Sequence, residues 1–206
     1  MGPNQMQQPQ VWQPQTMTTQ QLNTAEREDS GRGLEFFYVN GGAGFSYVGL
    51  PSYGPPAYRF TQSSAVGPEL DLGLGVRLLV LTIGPRVRFH PLTGYDLIQA
   101  NLEVAVHLPL GDLDLYGGVH GGYSMMAKTK NAFEGAATTA NSVGMSGGDV
   151  GLDLGADYYL SSTFSIGGAL SGEVIFLKTS DLPPPDTKGS ATGVGLIVGA
   201  RAGLHF

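Results

Sequence analysis

The sequence predicts an all-β fold: an eight-stranded antiparallel up-and-down transmembrane β-barrel with a disordered N-terminal tail. Three observations lead there. From residue 34 onward, apolar side chains fall on every second position in eight successive runs, which is the period of a strand and not of a helix. Short connections alternate with long ones, as in a meander that returns on itself. The face between the apolar positions is Gly, Ser, Asn and Tyr with a limited set of charges of both signs. It is not the lysine-bearing surface of a soluble sheet, so the apolar face is the one turned outward.

Residues 1–33 stand apart. The stretch "QMQQPQVWQPQTMTTQQLNTAEREDSG" is rich in Gln, Pro and Thr and nearly free of aliphatics. It cannot bury enough surface to offset chain entropy, so it reads as a disordered tail, leaving residues 34–206 as the barrel domain.

The first run, "FFYVNGGAGFSYV", puts Phe37, Val39, Gly41, Ala43, Phe45 and Tyr47 on one face, with Tyr38, Asn40, Gly42, Gly44 and Ser46 on the other. The second alternates Leu70, Leu72, Leu74, Val76 and Leu78 with Glu69, Asp71, Gly73, Gly75 and Arg77. The third sets Leu81, Ile83, Pro85, Val87 and Phe89 against Thr82, Gly84, Arg86 and Arg88. "IQANLEVAVHL", "LDLYGGVHGGYS", "DVGLDLGADYYL" and "FSIGGALSGEVIF" follow the same rule, and residues 192–206 make the eighth run. Tight turns are expected near Leu78–Val80, at 109–112 and at 161–163. Long loops are expected at 49–65, 90–96, roughly 125–147 and 178–191.

Two further features place the apolar face in lipid. Lys128, Lys130, Lys178 and Lys188 are all assigned to the long loops, with none on a strand. Phe37, Tyr158, Phe164 and Phe206 cluster at the short-turn end, and Phe45, Tyr47, Phe89, Tyr123 and Phe176 at the long-loop end. Phe164 and Phe176 share one strand, and on a tilted strand they stand about 30 Å apart along the barrel axis, one hydrocarbon thickness. Only a closed barrel satisfies strand backbone in that medium, and eight strands close around an interior just wide enough to be filled by side chains.

Inside such a lumen, buried charge must be paired. An ion-pair network is expected from Asp71, Arg86, Arg88, Glu103, Asp153 and Arg201, centred on Arg86 at about the level of Asp71 and Glu103.

The last run ends "GLIVGARAGLHF", with Leu204 and Phe206 on the apolar face. It resembles the C-terminal signal by which bacterial outer-membrane barrels are recognised for insertion, with the small Ala202 where a bulkier residue is often found. More widely, residues 34–206 resemble the eight-stranded OmpA/OmpX-type outer-membrane barrels, and "FFYVNGGAGFSY" looks like their first strand. That resemblance implies a bacterial outer-membrane location with the N-terminal tail in the periplasm. It implies contact with outer-membrane lipid including lipopolysaccharide, and with the barrel-assembly machinery through the C-terminal strand. No peptidoglycan-binding domain follows the barrel, so that anchoring role does not carry over.

Chemistry is sparse. The formal net charge of −6 argues against a nucleic-acid partner, and the absence of Cys excludes a disulfide framework or a thiolate metal site. The opening residues have neither a basic nor an apolar leader segment, as in a mature chain. Glycine patterns such as "GGAG" have no following helix and are strand residues, not a phosphate cradle. His120 and Ser124 share the inner face four residues apart, and His90 is placed on a loop near Asp96; neither makes a nucleophile pair. His107, His120 and His205 lie on different strands and are not expected to converge on a metal. No cofactor is expected and no enzymatic activity. The expected function is a non-enzymatic outer-membrane scaffold whose surface loops recognise a partner or support envelope integrity, with Tyr53, Tyr58, Phe60 and Phe133 as loop recognition candidates. The alternatives are passage of small or hydrophobic solutes and membership of a larger envelope complex through a protein partner.

Overall fold

The structure is a computed structural model that describes residues 36–54, 59–60, 63–129, 133–134, 144–179 and 188–206. Ten strands follow in chain order: β1 (Phe37–Gly54), β2 (Arg59–Phe60), β3 (Ser64–Leu78), β4 (Leu81–Pro91), β5 (Tyr95–Leu110), β6 (Leu113–Thr129), β7 (Phe133–Glu134), β8 (Met145–Ser161), β9 (Phe164–Thr179) and β10 (Gly189–His205). Eight of them close a barrel in the order β1-β10-β9-β8-β6-β5-β4-β3, and β2 pairs with β7 in a separate two-stranded sheet. Every neighbouring barrel pair is antiparallel. The tail, residues 1–33, lies outside the described residues.

The period of two in the sequence is the period of burial. Along β10 buried and exposed positions alternate almost without interruption. The exposed set is the apolar one: Phe45 is 73% exposed and Leu152 64%. The buried set is polar, and includes Asn40, Arg86, Gln99, Glu103, Asp114 and His120. A barrel with its charges inside and its leucines outside is stable only where the outside is hydrocarbon.

The seam is made by β1 and β10. Val39 lies opposite Leu204 and Phe45 opposite Val198 on the outer face. Phe206 accepts from the backbone N–H groups of Phe36 at 2.9 Å and Phe37 at 3.1 Å, and its own N–H donates to Phe37 at 2.8 Å. Both Leu204 and Phe206 point outward, and Phe206 is 67% exposed.

Two sequence expectations need correction. The 90–96 segment is not a long loop: β4 runs to Pro91 and β5 begins at Tyr95, leaving a short turn, so His90 sits on β4 and is fully buried in the lumen. Lys128 and Lys178 are strand residues at the long-loop ends of β6 and β9. The strands run on past the membrane band, and Lys178 is exposed two positions beyond Phe176. The turn after β3 has no typical turn residue, yet it is tight. Leu79 takes a left-handed φ of 58°, an uncommon conformation for a side-chain-bearing residue. Arg77 Nε donates to the Leu79 carbonyl at 3.1 Å and holds it there.

Candidate functional site

The candidate site is the lumen together with the long-loop end that covers it. Three polar layers and one apolar layer fill the lumen from the short turns upward.

In the lowest layer, Arg77 pairs with Asp114 at 2.8 Å and donates to the Tyr159 hydroxyl at 2.9 Å. His107 Nδ1 donates to Asp114 at 3.2 Å, and its Nε2 faces Thr82 Oγ1 at 3.1 Å. Ser165 Oγ meets His205 Nε2 at 2.9 Å. The Thr82–His107–Asp114 chain has the connectivity of a nucleophile, base and orienting acid. All three are buried in the lumen, next to a cavity of about 20 Å³, room for a water.

The middle layer is built on Arg86 of β4. Its guanidinium donates to Asp71 of β3 and, through Nε at 2.5 Å, to Glu103 of β5. The Cα register is offset from the level expected: Arg86 lies opposite Gly73 and Asn101, while Asp71 faces Arg88 and Glu103 faces Gly84. The long side chain reaches diagonally to both acids. Gly73 makes this possible, because a Cβ there would stand 3.2 Å from the guanidinium carbon of Arg86. Across the lumen Arg201 pairs with Asp157 at 3.4 Å, donates to the Tyr116 hydroxyl at 2.6 Å, and lies over the Tyr116 ring at 4.6 Å. Arg201 does not pair with any of the acids expected for the network. Its partner Asp157 is legible as an inner-face acid, but its pairing follows only from the register.

In the upper layer Arg88 pairs with Asp153 at 2.9 Å and stands 3.8 Å from Glu173. His120 Nδ1 donates to Asp153 at 2.6 Å. Gln99 donates to both Glu173 oxygens at 3.1 Å and accepts from His90 at 2.9 Å. Ser124 does not pair with His120; it donates to Asp149 at 2.5 Å. Gly151 lies opposite His120 and leaves room for its ring, since a Cβ there would fall 2.5 Å from Nε2.

Above this layer the inward-facing residues become apolar. Val48, Leu50, Leu97, Met126, Met145, Ile175 and Leu177 form a buried cluster with Tyr95, Leu92, Ala65 and Ala191. Sequence reasoning missed this plug. Its signal was present: where strands leave the bilayer, apolar residues fall on both parities, as in Leu97-Ile98 and Met125-Met126.

Of the loop recognition candidates, Tyr58 lies outside the described residues, and the side chains of Tyr53, Phe60 and Phe133 are not described. Their backbones are informative. β2 in the first long loop pairs with β7 in the third, with Arg59 opposite Glu134 and Phe60 opposite Phe133. Tyr53 continues the β1 ladder opposite Ala191.

The closed eight-strand order, with a polar packed interior and an apolar exterior, has counterparts among solved structures. Neisserial surface protein A matches with a TM-score of 0.62 at 12% identity, over 82% of this chain and 97% of that one. The outer-membrane protein AlkL, solved in lipid bilayers, matches with a TM-score of 0.52 at 14% identity, over 84% of this chain and 90% of that one. The fold is that of the small outer-membrane barrels. No protein-family model and no curated protein sequence matches the chain. At these identities the likeness speaks of architecture and not of activity.

Proposed function

We propose that this chain is a bacterial outer-membrane protein, closed to steady conduction, that works through its long-loop end, with its N-terminal tail in the periplasm. The observation that carries the reading is the occupancy of the lumen. Arginine–carboxylate pairs fill it at successive levels, and an apolar plug lies above them. The cavity among Glu69, Asp71, Arg86, Arg88 and Glu103 is about 30 Å³, enough for a water or two. A barrel with no passage through it acts at its rims, and the β2–β7 pairing ties two long loops into one surface. That surface is the place for an envelope or extracellular partner, and the outer face is the place for lipid, lipopolysaccharide included. The same filled lumen supports a role as scaffold, with no reaction of its own.

Two measurements test this. The purified barrel in a planar bilayer should give no steady conductance; a stable open level would overturn the closed reading in favour of solute passage. The chain has no cysteine, so single cysteines report orientation cleanly. Asn131→Cys should react with a membrane-impermeant maleimide on intact cells, and Ser162→Cys, in a short turn, only after the cells are broken. The reverse pattern would place the long loops in the periplasm and sink the proposal.

A further inference from the structure

The eight inner carboxylates Glu69, Asp71, Glu103, Asp114, Asp149, Asp153, Asp157 and Glu173 outnumber the arginines that face them. Arg77, Arg86, Arg88 and Arg201 pair with Asp114, Asp71, Glu103, Asp153, Glu173 and Asp157. Among the described residues Glu69 and Asp149 are left without an arginine partner. Asp149 is 6% exposed, one of its oxygens accepts from the Ser124 hydroxyl, and Oδ1 has no hydrogen-bond partner at all. An orphaned, buried carboxylate oxygen is costly, and it calls for a counter-charge.

The groups facing Asp149 supply the rest of a coordination set. One ligand atom each from His120 (β6), Asp149 (β8) and Glu173 (β9) lies within 4.8 Å of the others, and all three residues are buried. The His120 ring is oriented as a metal-binding imidazole is oriented: Nδ1–H donates to the Asp153 carboxylate at 2.6 Å, which leaves the Nε2 lone pair directed into the cluster. Nε2 stands 3.4 Å from Glu173 Oε2. Two lone-pair atoms at that separation match the edge of a tetrahedron whose centre lies about 2.0–2.1 Å from each, the bond length of zinc to imidazole nitrogen and carboxylate oxygen. Asp153 is held in turn by Arg88, and Glu173 by Gln99.

We propose that His120 Nε2, Glu173 and Asp149 form a binding site for a divalent first-row cation of the zinc or manganese kind, with Asp153 as the group that orients the imidazole. One nitrogen and two carboxylate oxygens suit such an ion better than calcium or magnesium, which take oxygen donors. Arg88 is the competing cation. Its Nη1 lies 3.3 Å from His120 Nε2 and 3.8 Å from Glu173, while its Nη2 is engaged with Asp153. Ion binding therefore draws Arg88 away from Nε2 and onto Asp153 alone. The site differs from the one considered from sequence, which required two histidines to converge. His107 and His205 lie in the lowest layer and take no part. The apolar plug covers the site on its loop side, so loading accompanies folding.

The full chain is refolded into detergent micelles with ZnCl₂ or MnCl₂, desalted, and its metal content measured by atomic emission. Heat-modifiable migration confirms the folded barrel. The wild type should retain about one equivalent of one of the two ions. Asp149→Asn and His120→Gln should bind at least tenfold more weakly, His205→Gln should bind as the wild type does, and Arg88→Gln should bind more tightly. Retention below about one-fifth of an equivalent in the folded wild type overturns the proposal without reference to any variant. So does retention that Asp149→Asn or His120→Gln leaves unchanged.

Discussion

Arg86 offers the sharpest test of how the lumen is held. It is 5% exposed, and the side chains of its partners Asp71 and Glu103 are 12% and 8% exposed. Arg86→Met keeps the length and apolar stem of the side chain and removes its charge. Two carboxylates then share a lumen with no cation between them. Breaking a buried ion pair from one side costs about 3–5 kcal/mol, and with two acids stranded the upper half of that range applies. The cost belongs to the abandoned acids and not to the pair, so neutralising them should restore stability. In the triple variant Arg86→Met, Asp71→Asn, Glu103→Gln all but about 1–2 kcal/mol should return, because neutral groups of similar volume replace buried ion triads at little cost. Reversible urea unfolding in phospholipid vesicles, followed by far-ultraviolet circular dichroism and gel migration, reads both values. A single variant within about 1 kcal/mol of the wild type, or a triple variant no more stable than the single, would refute the reasoning.

Other outcomes can be read by the same unfolding assay. Gly151→Ala pushes a methyl group into the space of the His120 ring and should cost about 1–3 kcal/mol, whereas Gly172→Ala, where nothing lies within 4 Å, should stay within about 0.5 kcal/mol. Leu97→Ala opens a cavity in the apolar plug, where Leu97 is 0% exposed, and should cost about 2–5 kcal/mol. Leu152→Ala, on the outer face and 64% exposed, leaves no cavity and should cost clearly less. Deletion of residues 1–30 should leave the compact, heat-modifiable band intact, since those residues carry no alternating pattern with which to join the ladder.

The faces of the strands were legible because alternation is local: Leu70, Leu72 and Leu74 against Glu69, Asp71 and Gly73 need no knowledge of a neighbour. The ends of the strands were not. A barrel that continues beyond the bilayer loses the demand for an apolar exterior, so Lys178 can stand on a strand and Leu97 can point inward, and both read as loss of pattern. His90 was misplaced for the same reason, being two residues past Arg88 on a strand taken to have ended. In the lumen, the residue types and their inward direction came from the sequence, but the pairs depend on stagger between strands. Arg86 meets Asp71 and Glu103 from a register that differs from the expected level. Asp149, Asp153, His120 and Glu173 were each legible as inner residues. Nothing short of the β6–β8–β9 alignment puts their side chains together.

The seam between β1 and β10 also sets a timetable. Its partners are among the most distant in the chain: the amides of Phe36 and Phe37 wait for the carbonyl of Phe206. Until β10 arrives, a sheet of seven strands would present two open edges, each a row of N–H and C=O groups that hydrocarbon cannot satisfy. No shorter assembly of these strands is therefore a stable guest of the bilayer. Insertion has to wait for the last strand or be carried out with the open edges held by something else. A chaperone or insertase acting on this protein has one object to protect, the pair of edges that will become the seam. Its work ends when they meet.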